Sequence, residues 1–213
     1  MNWHLIFLYR LNLQEGVIKM AITYPLGAKL YINLTNQCTN DCKFCVRKFK
    51  DGLGGYKLWL DEEPSAQEVI NDIQNPEDYA EIVFCGFGEP LMRLEAVKEV
   101  AAWLNNNHPQ IPVRINTNGL ANVVHQRDIL PELSDLIDAM SISLNASNPK
   151  QYQEVSQSKH GQEAFAYVLD FIKEAKEYIP AVKVSVVTYP GVDVEKCRKL
   201  ADELGVKIKI RHF

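Results

Sequence analysis

From residue 20 onward, short apolar runs alternate with longer stretches of helical period. Runs rich in Ile, Val and Leu occupy 29–35, 81–85, 112–116, 138–144, 182–188 and 206–212, and each reads as a strand. Between them lie amphipathic stripes. Ser65 and Glu68 form a capping box ahead of Ala66, Val69, Ile70 and Ile73. Pro90 suits a first helical position, followed by Leu91, Leu94, Val97 and Ala101. Ala164, Phe165, Val168, Leu169, Ile172 and Ala175 repeat the stripe until Pro180 stops it. Asp193 caps a last helix whose face is Val194, Cys197, Leu200, Ala201 and Leu204, and Gly205 ends it. Six strand–helix repeats in order predict an α/β domain with a parallel sheet and right-handed crossovers.

Within the strands one parity is apolar: Val113 and Ile115; Met140, Ile142 and Leu144; Val184 and Val186; Ile208 and Ile210. The other is polar: Arg114 and Asn116; Ser141, Ser143 and Asn145; Lys183 and Ser185; Lys207, Lys209 and Arg211. Parallel strands covered on both faces read apolar throughout. The alternation therefore predicts a curved sheet with helices outside and a wet concave face. On the last strand, edge lysines that deter strand pairing are the plainer reading.

No low-complexity linker or internal repeat divides the chain, so 20–213 reads as one domain preceded by an extension, 1–19. Net charge is −4 and the pI about 5.8, so a strongly basic nucleic-acid-binding face is not indicated. The longest unbroken apolar run, residues 5–9, is too short to span a bilayer. Residues 1–19 lack a basic start and a small-residue cleavage site, which makes them a poor signal peptide. Five cysteines, three of them clustered, do not resemble a secreted disulfide framework, and the expected location is a reducing cytoplasm.

The clustered thiols are Cys38, Cys42 and Cys45, three in eight residues, on a loop leaving the first strand. A zinc site needs a fourth ligand, and no second CxxC is present. A redox CxxC uses Cys42 and Cys45 but leaves Cys38 without a role. A cubane iron–sulfur cluster takes one thiolate per iron and leaves the fourth iron open. Spacing alone leaves all three readings standing. Two further loops bear on the choice. Gly86-Phe87-Gly88-Glu89-Pro90 follows the second strand, with glycines that admit a ligand to the backbone and a carboxylate suited to an ammonium. Asn116-Thr117-Asn118-Gly119 follows the third. Each by itself is ordinary turn chemistry. All three, however, lie at the C-terminal ends of successive parallel strands, the rim where α/β barrels place their sites.

These residues resemble the radical S-adenosylmethionine (SAM) enzymes. The cysteine spacing with Phe44 before the last Cys matches that superfamily's defining motif, and Gly86–Glu89 with Pro90 resembles its GGEP motif, Phe87 replacing the second residue. The surrounding text is similar to the small TatD-associated radical SAM proteins, a group named for a neighbouring TatD-type hydrolase. The resemblance implies a partial (β/α)6 TIM-type barrel. It implies that Cys38, Cys42 and Cys45 hold a [4Fe–4S] cluster whose open iron is chelated by SAM. Gly86, Phe87, Gly88 and Glu89 are then expected at the methionyl ammonium and Phe44 beside the adenine. Asn116, Thr117, Ser143 and Asn145 are positional candidates for the carboxylate and ribose. A one-electron donor such as flavodoxin or ferredoxin is implied, and a radical that abstracts hydrogen from an unidentified, small anionic substrate. Two alternatives stand beside it: an activating enzyme that makes a radical on a partner protein, and a zinc- or cluster-stabilised binding module partnering the hydrolase.

Some residues receive plainer readings. Cys85 and Cys197 are expected as packing thiols, and Trp103 and Phe165 as core. Arg114, a cation within a central strand, either pairs with a buried carboxylate or faces an anionic substrate. Arg47 and Lys48 either tune the cluster or are solvated. The segment 46–63 is long for a strand-to-helix loop and is expected to cover part of the barrel mouth.

Overall fold

The apolar parity of each strand faces the helices. Ile82, Phe84, Val113, Ile115, Met140, Ile142, Val184 and Val186 are fully buried there, against Val97, Leu104, Val168 and Ile172. Each such side chain contributes roughly 1.5–3 kcal/mol relative to exposure. The computed structural model describes residues 20–213, and the extension read at 1–19 lies outside the described residues. The elements in chain order are β1 (Thr23–Leu26), β2 (Lys29–Ile32), β3 (Gly52–Leu53), β4 (Tyr56–Lys57), α1 (Ala66–Asp72), β5 (Glu81–Phe84), α2 (Leu94–Asn107) and β6 (Val113–Thr117). They continue with α3 (Ala121–His125), β7 (Ala139–Ser143), α4 (Pro149–Ser156), α5 (Glu163–Tyr178), β8 (Ala181–Val187), α6 (Val194–Glu203) and β9 (Lys207–Arg211). The seven-stranded sheet runs β1-β2-β5-β6-β7-β8-β9, with β1 antiparallel to β2 and the other six parallel. The sheet does not close, as a partial TIM-type barrel requires.

Strand register places Lys29, Arg114, Lys183 and Lys209 on the face away from the helices, the concave face of the partial barrel.

Three features differ from the reading of the sequence. The edge strand β1 was hidden by its brevity and by Pro25, which an edge tolerates. Gly27, at φ 60°, makes its turn into β2, and the Asp72 carboxylate accepts from the Thr23 N–H at 3.0 Å. Pro90 opens a 3-10 turn, Pro90–Arg93, and the α-helix begins only at Leu94; Glu89 caps the turn by accepting from the Leu91 N–H at 3.2 Å. The segment 46–63 contains the β3–β4 hairpin and packs into a second small core of Ala21, Tyr24, Leu58 and Phe87. Trp59 meets Phe87 edge to face at 5.2 Å, so this segment is a strap bolted to the β1 side of the rim. Among the described residues no helix is long and apolar enough to cross a membrane.

Candidate cofactor site

The chain leaving β2 is fastened by asparagines before it reaches the first cysteine. Asn33, fully buried, donates to the carbonyls of Ala21 (3.3 Å) and Leu58 (2.8 Å) and accepts from the Phe87 N–H (3.3 Å). Asn36 exchanges two hydrogen bonds with the Leu60 backbone, at 2.7 and 3.1 Å. The cysteine loop then lies on the end of α4. The Asp41 N–H reaches the Ser156 carbonyl at 3.2 Å, the Lys43 N–H that of Val155 at 2.9 Å, and the Asn40 amide donates to the Tyr152 hydroxyl at 3.1 Å. Arg47 spans the loop, donating to the carbonyls of Asn36 and Asn40 at 3.2 Å each. It is therefore a brace, while Lys48 pairs with Asp41 at 2.9 Å.

Cys38, Cys42 and Cys45 are half-buried free thiols. Cys38 Sγ receives the Asn40 N–H at 3.4 Å and the Asn118 amide at 3.7 Å. Burial, then the nearby Glu89 carboxylate, pushes the Cys38 thiol up, and burial with the other two thiols pushes Cys42 up to about 12. Three crowded thiolates thus require bound cations to neutralise them. Among the described residues no group of three or more His, Cys, Asp or Glu side chains gathers tightly enough for a single metal ion. A cubane sets its three thiolates on three different irons, and an all-sulfur triad with N–H donors at one sulfur suits it. The residues present fit a [4Fe–4S] cluster.

The glycine-rich loop sits against the cysteine loop, and its glycines are there for the protein's own packing. A Cβ on Gly86 would fall 1.9 Å from Asn33 Oδ1, and one on Gly88 would fall 2.3 Å from the Thr35 carbonyl oxygen. Close packing is thus a second demand on Gly86 and Gly88, beside the approach of a ligand expected from the sequence. The contact is completed by the Glu89 N–H, which donates to the Gln37 carbonyl at 2.8 Å. Glu89 is buried, and its carboxylate accepts from the Thr117 hydroxyl (2.8 Å), the Asn118 N–H (2.6 Å) and the Leu91 N–H. Burial raises its pKa to about 7 even against these three donors. An ammonium brought to it would restore the ionised form.

The other expected residues are placed as follows. Thr117 joins Glu89. Asn116 lies on the concave face, where its Oδ1 accepts from Arg114. Ser143 is on the same face, in register with Ser185 on β8. Asn145, at φ 58°, donates to the Ser156 hydroxyl at 3.4 Å and so stands behind the cysteine loop. Phe44 packs on Tyr189 at 5.8 Å, and Tyr189 on Phe213 at 5.0 Å. Arg114 pairs with Glu81 through two hydrogen bonds of 3.0 and 3.1 Å, the structural alternative of the two considered. Cys197 is buried on the helix side, but Cys85 is only half-buried on the concave side near Asn116 and Arg211, not a packing thiol of the core. In the sequence Asn118 is only part of an Asn-Gly turn. Its amide links Cys38 to Thr39 (2.9 Å) while its N–H holds Glu89, and no local signal marks it.

A partial parallel barrel with three thiols on its first rim loop and a buried carboxylate on its second defines a class. The Radical SAM superfamily family model matches residues 32–204, and the chain belongs to that superfamily. Its cofactors are accordingly a [4Fe–4S] cluster and SAM. The chain is 28% identical over 179 residues to a probable dual-specificity RNA methyltransferase RlmN of Nostoc sp., covering 80% of this chain and 46% of that protein. It thus spans about half the length of such relatives. Among solved structures, Streptococcus suis SuiB superposes with a TM-score of 0.63 at 16% identity, covering 87% of this chain and 40% of that one. The anSMEcpe complex with AdoMet and the Cp18Cys peptide gives 0.61 at 19% identity, covering 85% and 50%. At these identities the structures speak for the fold.

Proposed function

We propose that this chain cleaves SAM reductively and directs the resulting 5′-deoxyadenosyl radical to a hydrogen of an anionic substrate held over the concave face. The observation that carries the reading is the continuous chain Cys38–Asn118–Glu89, which locks the thiol loop to the buried carboxylate across two strands. Bound to Cys38, Cys42 and Cys45, the cluster supplies the electron for that cleavage, taken from a donor such as flavodoxin or ferredoxin. Glu89 binds the methionyl ammonium, with Thr117 and the Asn118 N–H holding its orientation. Backbone oxygens of Gly86–Gly88 share that task. Phe44 lies toward the adenine, and Asn116 and Ser143 serve the carboxylate or ribose. Asn145 acts by supporting the cysteine loop.

Anaerobic reconstitution, reduction and assay for 5′-deoxyadenosine test the reading. The expected outcome is about four irons per chain and 5′-deoxyadenosine formed from SAM. Iron binding without product under any reductant would refute it, as would a fold restored by zinc alone.

Two other roles have specific support. The RlmN relatives favour methylation of RNA, in which case methylated RNA appears on incubation with total RNA. The compact core and cysteine spacing resemble activating enzymes, in which case SAM cleavage depends on a partner protein. A link to a TatD-type hydrolase rests on the sequence around Cys38–Cys45 and is checked by co-purification.

A further inference from the structure

The concave face carries six cations, Lys29, Arg114, Lys183, Lys207, Lys209 and Arg211, in shared register across β2, β6, β8 and β9. Glu81 is the carboxylate among them, and it is already taken by Arg114 and by Lys29 at 2.5 Å. Lys183, Lys209 and Arg211 have no acidic partner among the described residues. Two further atoms point the same way. Arg211 Nε is buried with no hydrogen-bond partner among the described residues, and so is the hydroxyl of Ser141, itself 1% exposed. Ser141 registers with Lys183, and Lys209 with Ser185, one strand over. A buried guanidinium donor and a buried hydroxyl without acceptors are costly unless something supplies them. Uncompensated cations gathered on one face likewise raise the local concentration of anions.

We propose that Arg211, Lys183 and Lys209, with Ser141, form an oxyanion subsite that seats a carboxylate or phosphate group of the substrate. The proposal rests on the catalytic reading above for the word substrate, but not for the binding itself. Arg211 offers the bidentate fork suited to either oxyanion, and the lysines add point charge. Glu81 holds Arg114 and Lys29 away from the ligand, so the free cations cluster toward β8 and β9.

The test uses the full chain, with no activity needed. Inorganic phosphate and succinate are titrated by calorimetry into the wild type, Arg211→Gln, Lys209→Gln and Lys199→Gln, with SAM titrated separately into the reconstituted protein. Lys199, exposed on α6, is the control for net charge. Loss of one charge-assisted contact is expected to weaken the anion by about tenfold in Arg211→Gln and severalfold in Lys209→Gln. Arg211→Lys is expected to recover part of the affinity, and Lys199→Gln to match the wild type. Exposed Lys209 keeps the test open should Arg211→Gln fail to fold. Equal affinity in all variants overturns the subsite. So does a parallel fall in SAM affinity, which would assign these cations to the SAM carboxylate. Binding of phosphate with no 5′-deoxyadenosine would sink the catalytic reading alone.

Discussion

Glu89 is the residue on which the rim is balanced. Its carboxyl has three donors and still titrates near 7 rather than 4.5, because burial outweighs them. A folded pKa raised in this way contributes stability that is complete below 4.5 and is lost as pH rises through about 7. In the unloaded chain this amounts to on the order of 3 kcal/mol. Urea midpoints between pH 4.5 and 7 should therefore fall with pH in the wild type and fall much less in Glu89→Gln; equal slopes would show that Glu89 is not the titrating group. Gly88 is constrained from the other side. Since a Cβ there meets backbone at Thr35 and Gln37 rather than a movable side chain, Gly88→Ala should lose about 3 kcal/mol or more by denaturant unfolding. Asn118→Ala removes donors from Cys38 and Thr39 and should cost about 1–3 kcal/mol, seen in the same unfolding assay.

At the scale of elements, the strap over 46–63 matters most. It is held by Asn33 and Asn36 and buries Leu58 against Tyr24 and Phe87. Replacing the β3–β4 hairpin by a short glycine link should lower the melting temperature by several degrees. Iron bound per folded chain should stay unchanged, because the cysteine loop takes its backbone partners from α4. Loss of iron in the folded variant would show that the strap also shapes the thiol loop. The elements themselves were largely legible in the sequence. The parallel strands and the capping box at Ser65 follow from local period and local hydrogen bonding. The exceptions are instructive: β1, α3 and α4 are short, and short elements owe their existence to what they pack on.

For the whole molecule, the rolled sheet decides which charges meet. Salt should separate its two kinds of cation: the desolvated Arg114–Glu81 pair is little screened, whereas oxyanion binding near exposed Lys209 should weaken between 50 and 500 mM salt, about as Debye screening dictates. Unchanged phosphate affinity over that range would argue against Lys209 as part of the subsite. The sequence by itself determined the α/β class, the strand parity and the three-thiol loop, because period and spacing act within a few residues. The cluster-type motif was legible for the same reason. Only the tertiary structure decided that Asn118 reaches Cys38 over 80 positions, that Glu89 rests on Thr117, and that Asn33 ties Phe87 to Leu58. Those meetings depend on strand register and on the curvature of the sheet, which arise from the packing of every helix behind it.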